Sequence, residues 1–144
     1  MVNTLVLGGT YNHTVDDKGR VVMPVKFKKE LGLEFIITAG YDDTLMVMSQ
    51  TEWEKFMARF DNAPPSKVRW IKRYFLGNMF EVSTDKQGRM QIPLQLRQKI
   101  NIEQDVVLVG NGDMVEIWTP ERWEASQNML ESDVIAQSMD ELIV

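Results

Sequence analysis

Leu7-Gly8-Gly9-Thr10-Tyr11-Asn12-His13-Thr14-Val15-Asp16-Asp17-Lys18-Gly19-Arg20 and Leu76-Gly77-Asn78-Met79-Phe80-Glu81-Val82-Ser83-Thr84-Asp85-Lys86-Gln87-Gly88-Arg89 are one pattern written twice. At an offset of 69, Leu7/Leu76, Gly8/Gly77, Asp16/Asp85, Gly19/Gly88 and Arg20/Arg89 coincide, and Tyr11/Phe80 and Thr14/Ser83 are similar. Onward, Pro24 meets Pro93 and Leu31 meets Ile100. After one inserted residue the offset becomes 70, where Gly40/Gly110, Asp43/Asp113 and Trp53/Trp123 coincide. So many matches with a single gap mean an internal duplication.

Each copy reads as the same succession of short elements. An alternating strand (10–15; 79–84) runs into an Asp-x-x-Gly-Arg turn, whose glycine suits a left-handed hairpin position. A second strand follows (20–23; 89–92). Pro24 and Pro93 then stand at the first position of helices of about two turns, with Gly32 and Asn101 at the matching C-terminal stops. Two apolar strands come next in each copy, 35–39 and 44–48, then 105–109 and 114–118, joined by turns rich in Gly, Asp and Asn. Ser49-Gln-Thr-Glu52 is a capping box, and Thr119-Pro120 is an N-cap followed by proline, so each copy hands over to a longer helix. Trp53, Phe56, Met57 and Phe60 form one apolar stripe on the first of these. Pro64-Pro65 ends it, and Ser66 is expected to cap a further helix carrying Lys67, Arg69, Lys72 and Arg73 without an acid. Trp70, Ile71, Tyr74 and Phe75 are expected to bury that helix at an intramolecular or subunit interface.

The totals narrow the class. The chain has 144 residues, 44% hydrophobic and 26% charged, which is a globular balance. Without cysteine, neither a disulfide framework nor a thiolate metal site is available. The start, MVNTLVLGG, lacks the basic segment and apolar length of a signal peptide, and nothing approaches the ~20 apolar residues of a membrane span. A soluble, cytoplasmic protein is expected. Net charge is −5, but residues 1–102 carry 15 Lys or Arg against 11 acids, whereas residues 103–144 carry Arg122 against 10 acids. An acidic tail held elsewhere need not forbid contact with phosphate, because the field is screened over roughly 8–10 Å.

Strand, Asp-x-x-x-Arg turn, strand, proline-led short helix and hairpin make up a unit that resembles the SpoVT–AbrB swapped-hairpin domain. Two such units, each followed by a tryptophan helix, resemble the MraZ family. The segments that carry the resemblance are Tyr11-Asn-His-Thr-Val-Asp16-Asp-Lys-Gly-Arg20, Leu31-Gly-Leu-Glu-Phe-Ile-Ile-Thr-Ala-Gly40, Glu52-Trp-Glu-Lys-Phe56, Asp85-Lys-Gln-Gly-Arg89 and Glu116-Ile-Trp-Thr-Pro-Glu-Arg-Trp123. They span roughly residues 6–135, with about five extra residues in front. The resemblance implies an α+β fold in which two tandem swapped-hairpin units form a pseudo-twofold small β-barrel with flanking helices. It sets unit 1 at 8–53, a helical linker at 54–76, unit 2 at 77–123 and an acidic C-terminal helix or tail at 124–144. It also implies a nucleoid-associated regulator of its own operon of division and cell-wall genes, assembled as a ring homo-oligomer on direct repeats in promoter double-stranded DNA. The sign of regulation stays open.

The residues support this independently. A tight turn projecting Lys18 and Arg20 beside Gly19 makes a narrow cationic tip that fits a major groove ~12 Å wide, where arginine can donate twice to guanine. Asp16 can hold the guanidinium or cap the turn amides; a purely structural ion pair is the competing reading. Lys86 and Arg89 form the second tip, supported by Asp85 and Gly88. Lys26, Lys28 and Lys29 follow the first loop, and only Arg97 and Lys99 follow the second, which favours the first as the DNA reader. His13, the single histidine, aligns with Val82 and reads as a packed strand residue. One histidine and no cysteine give no nucleophilic triad or metal cluster, so no enzyme, no cofactor and no small-molecule substrate are expected. Asp42 and Asp43 read as turn chemistry. An oligomeric scaffold that binds other proteins, with DNA incidental, is the alternative class.

Overall fold

The computed structural model describes residues 6–143; residues 1–5, the extra N-terminal segment, and residue 144 lie outside the described residues. The first copy contributes β1 (Thr10–Thr14), β2 (Arg20–Val22), α1 (Val25–Leu31), β3 (Glu34–Ala39), β4 (Leu45–Ser49) and α2 (Gln50–Ala58). Helix α3 (Pro65–Gly77) leads to the second copy. That copy contributes β5 (Phe80–Ser83), β6 (Arg89–Gln91), α4 (Leu94–Lys99), β7 (Asp105–Gly110), β8 (Val115–Trp118) and α5 (Pro120–Gln127). A 3-10 turn (Asn128–Leu130) and α6 (Ser132–Ile143) follow.

The copies exchange strands instead of folding side by side. In the six-stranded antiparallel sheet, ordered β1-β7-β8-β4-β3-β5, β1 of the first copy pairs with β7 of the second, and β5 pairs with β3. The central pair is β4–β8, where Leu45 faces Ile117 and Val47 faces Val115, so the pseudo-twofold axis passes between them. A separate two-stranded ladder, β2–β6, repeats the relation with Val21 opposite Met90. One core results: Phe27, Phe35 and Leu45 from the first copy pack with Met90, Leu96 and Leu108 from the second, all buried. A unit of ~45 residues is near the limit for independent stability, and here neither half holds a core alone.

The expected small barrel does not close. β1 and β5 remain edges of the six-stranded sheet, and β2–β6 bridges them only through the turn bonds Asp16 N–H to Arg20 O and Asp85 N–H to Arg89 O, with one isolated bridge, Thr84 to Met90. Pro24 and Pro93 follow these three-residue strands within two positions and have no N–H to extend a ladder.

The register also corrects the alignment of the copies. Glu34 pairs with Ser83, and Asp105 pairs with Thr14. Thr14 and Ser83 are counterparts, so Glu34 and Asp105 are too, at an offset of 71. Ala39, not Gly40, therefore matches Gly110. Two extra residues before β7 are followed by one fewer in the β7–β8 turn, and an ungapped comparison sees only their difference.

Local signals act much as the sequence reading expects. Ser49 Oγ accepts from the Glu52 amide at 3.1 Å and Thr119 Oγ1 from the Arg122 amide at 3.4 Å, capping α2 and α5. Gly32 (φ 84°) and Asn101 (φ 58°) take the left-handed conformation after α1 and α4. Ser66 does not cap α3, which starts at Pro65 with Pro64 as its N-cap. Pro65 already has the φ of a first helical residue, so the helix begins before the serine.

Candidate nucleic-acid interface

The two Asp-x-x-Gly-Arg turns are built alike, bond for bond. In the first, the Gly19 amide donates to the Asp16 carbonyl at 2.9 Å. Asp16 Oδ1 accepts from the amides of Lys18 and Arg20, each at 2.9 Å, and Oδ2 accepts from Arg20 Nε at 2.8 Å. Asp85 repeats this with the amides of Gln87 and Arg89 at 2.9 Å and Arg89 Nε at 2.8 Å. Each aspartate thus does both things its position allowed, capping the turn and holding the guanidinium. Gly19 (φ 80°) and Gly88 (φ 76°) close three-residue loops in the left-handed conformation that a side chain would strain.

Hydrogen bonding keeps both carboxylates charged. The Arg20 amide does most to hold Asp16 below the usual carboxylate range, partial desolvation opposes it, and the Arg20 guanidinium and Lys18 amide add to it. Asp85 is lowered in the same way, first by the Arg89 amide. With Nε on the aspartate, the Nη groups of Arg20 and Arg89 make no hydrogen bond to the chain among the described residues and remain available as donors.

The tips lie at opposite ends of one short antiparallel base. In the β2–β6 ladder Arg20 lies opposite Gln91 and Val22 opposite Arg89, while the Gly19 carbonyl accepts from the Ile92 amide at 2.8 Å and the Gly88 carbonyl from the Met23 amide at 2.9 Å. Gln91 Nε2 adds a bond to the Lys18 carbonyl at 2.8 Å. Val21 and Met90, both buried, pin the ladder to the core.

One basic residue of each short helix lies at the other copy's tip. Arg97 of α4 lies over Gly19, with its Nε bonded to the Ile92 carbonyl at 2.8 Å, and Lys28 of α1 brings Nζ to 3.2 Å from where a Gly88 Cβ would stand. Lys28 therefore stands at the second loop and not the first, because strand exchange carries it there. Lys18 and Lys86 are exposed and occupy different positions of their three-residue loops, second and first respectively. Arg97, Lys28 and Gln91 escape a reading of each motif by itself. The available signal was that Lys28 and Arg97 are counterparts at the offset of 69.

Other candidates fall to packing and turns. His13 is half-buried on β1 opposite Val106. Asp42 and Asp43 adopt left-handed backbone, and Arg122 ties their turn to α5 through Asp43 Oδ2 at 2.7 Å. Among the described residues no group of three or more His, Cys, Asp or Glu could hold a metal ion, and no helix is long and apolar enough to cross a membrane. Helix α3 buries Val68 and Phe75 but leaves Trp70 63% exposed, so its expected burial is only half met within one chain.

Comparison with known proteins agrees with the duplicated architecture. The family model of the MraZ protein matches residues 6–69 and again 75–142. The transcriptional regulator MraZ of Thermoanaerobacter sp. (strain X514) is 42% identical over 141 residues, which cover 95% of this chain and 99% of that protein. That of Lachnoclostridium phytofermentans is 42% identical over 136 residues, 92% of this chain and 94% of its own. That of Caldanaerobacter subterraneus subsp. tengcongensis is 44% identical over 121 residues, 83% and 85%. All three carry the name of a regulator and not of an enzyme.

Proposed function

Since this chain belongs to the MraZ family, we propose that it is a transcription regulator that binds specific double-stranded DNA through its two Asp–Arg tips acting as a pair. The observation that carries this reading is the β2–β6 ladder, which holds both guanidiniums on one base, each fixed at Nε by its aspartate and with its Nη groups making no hydrogen bond to the chain among the described residues. Lys18, Gly19 and Arg20 form one half of the reading surface and Lys86 and Arg89 the other, with Asp16, Asp85 and Gly88 shaping the turns. Arg97 and Lys28 add positive charge beside Gly19 and Gly88. Arginine held at its Nε loses little side-chain freedom when its remaining donors meet guanine O6 and N7.

The finer proposal is a ring homo-oligomer bound to short direct repeats in the promoter of its own operon, a division and cell-wall cluster. Repeats spaced near ~10–10.5 base pairs would present one duplex face to successive subunits. Weak single-box contacts then add as intramolecular ones. Units at 8–53 and 77–123, a linker at 54–76 and a tail at 124–144 are the organisation proposed for the chain.

Titration of the protein against its own upstream DNA at several salt concentrations tests the reading. Specific, strongly salt-dependent binding is expected, because lysines that meet phosphate release counterions even from an acidic protein. An assembled protein that leaves this DNA unshifted at low salt would favour the scaffold reading instead. Inserting about five base pairs between neighbouring boxes should remove most of the gain from assembly, since it turns the second box to the opposite face.

A further inference from the structure

We infer that the apolar groove on the outer face of the β7–β8 hairpin receives helix α3 of a second copy of this chain, with Trp70 as the inserted side chain. The inference rests on the self-assembly proposed above and names the surface that produces it.

The duplication itself reveals that this groove lacks a cover. In the first copy the outer face of β3–β4 presents Ile36, Met46 and Met48, and α2 adds Trp53 and Phe56. Helix α3 closes that face: the Phe75 ring meets Phe56 edge-on at 4.9 Å, and Thr38 Oγ1 and Tyr74 Oη bond to the Phe75 and Gly40 carbonyls, each at 2.7 Å. In the second copy Glu116, Trp118, Trp123 and Ser126 stand where the first has Met46, Met48, Trp53 and Phe56. Helix α6 follows α5 as α3 follows α2, yet it buries none of its residues. What remains is a groove of about 640 Å³ floored by Val109, Trp118, Trp123, Met129 and Leu130. Met129 is 68% exposed.

Charge selects the occupant. The groove's polar rim includes Asp42 and Glu116; Arg122 also lies there, with its guanidinium engaged by Asp43. Helix α6 carries Asp133, Asp140 and Glu141 and no cation, so it has the same sign as that rim. Helix α3 carries Lys67, Arg69, Lys72 and Arg73 and no acid. Lys67, Trp70 and Arg73 recur at helical spacing on a side other than buried Phe75, and the Arg73 guanidinium lies 4.8 Å from the Trp70 ring centre. An exposed indole flanked by cations fits an apolar groove with an acidic rim, and aromatic anchors of this kind dominate interfaces. Because the groove and the Trp70 face are different surfaces, the contact is head to tail, so each copy gives α3 to one neighbour and its groove to another.

Sedimentation velocity of the full chain, of Trp70→Asp, of Met129→Asp and of their equimolar mixture tests this. Both residues are mostly exposed, so both variants keep the fold, as far-UV circular dichroism can check. Each single variant should sediment as the 16.7 kDa chain. The mixture should form two-chain species, because one intact groove then meets one intact α3. Arg73→Glu, a milder change on the same face, should raise the assembly midpoint by roughly tenfold or more. An Ile135→Asp/Met139→Asp variant of α6 should assemble as the unaltered chain does. Assembly that survives Trp70→Asp, a mixture that stays as single chains, or loss of assembly in the α6 variant alone would overturn the interface. A single-chain unaltered protein would overturn the self-assembly reading beneath it.

Discussion

Asp16–Arg20 and Asp85–Arg89 match to within a tenth of an ångström in every turn hydrogen bond, while Phe56 and Ser126, equally related by the duplication, stand in surroundings that no longer agree. The first outer face is sealed by Phe75, and the second is open. The tips keep their likeness because the turn geometry is local: one aspartate, one glycine and one arginine specify it wherever they occur. The outer faces diverge because what covers them comes from elsewhere in the chain, and α3 and α6 have opposite charge. A duplicated fold can thus keep a paired device at one place and make two unlike surfaces at another.

The sharpest way to break the comparison is to separate the copies. Residues 1–62 alone are expected to stay unfolded, since β1 and β3 lose β7 and β5 and the shared core is halved. Far-UV circular dichroism should show a native signal only when residues 63–144 are added. A cooperatively folded monomeric 1–62 fragment would end the strand-exchange account.

Phe75→Ala should cost ~3–5 kcal/mol of unfolding free energy in urea melts, the range for emptying a buried aromatic site. Trp123→Ala, on the face left open within one chain, should cost less when both changes are made in the Trp70→Asp background, which is expected to stay as single chains. Equal losses there would mean that the chain itself covers the second face.

Arg20→Ala and Arg89→Ala should each weaken specific DNA binding by ~1–3 kcal/mol per affected contact with little change in melting temperature. Their near-identical settings, 29% and 27% exposed, make the two losses similar. A large loss for Arg20→Ala alone would favour the first loop over the second, the direction in which the lysines after it point.

Acid should loosen both tips together. A carboxylate whose folded pKa is depressed stabilises the native turn above its unfolded value, near ~3.9, and loses that contribution as pH falls through the folded value. The amides of Lys18 and Gln87 should therefore titrate below the ordinary aspartate midpoint in NMR spectra. A midpoint at the ordinary value would mean that the turn bonds do not persist in solution.

Gln91→Ala gives the smallest effect and the finest distinction. It removes the bond to the Lys18 carbonyl, worth ~0.5–1.5 kcal/mol. Its counterpart in the first copy, Val22, can make no such bond to the second loop. Faster amide exchange should appear at Gly19 and not at Gly88.

The sequence by itself determined the duplication, the order of elements in each copy and the chemistry of both turns. The duplication shows in a linear comparison of the two copies, and the other two depend on residues a few positions apart, such as Asp16 with Gly19 and Arg20, or Ser49 with Glu52. It also carried the family, through motifs spread over nearly the whole chain. Only the tertiary structure decided which strand pairs with which, that the ladders stop short of a closed barrel, and that Lys28 sits at the second tip and Arg97 at the first. The offset of 71 in β3 and β7 belongs to the same class, because compensating changes of loop length hide in a linear comparison and show only when Glu34 meets Ser83 and Asp105 meets Thr14. Local backbone preferences act within a turn or two. Partners brought together from 70 residues apart are selected by the burial of one shared core, which neither copy's sequence contains alone.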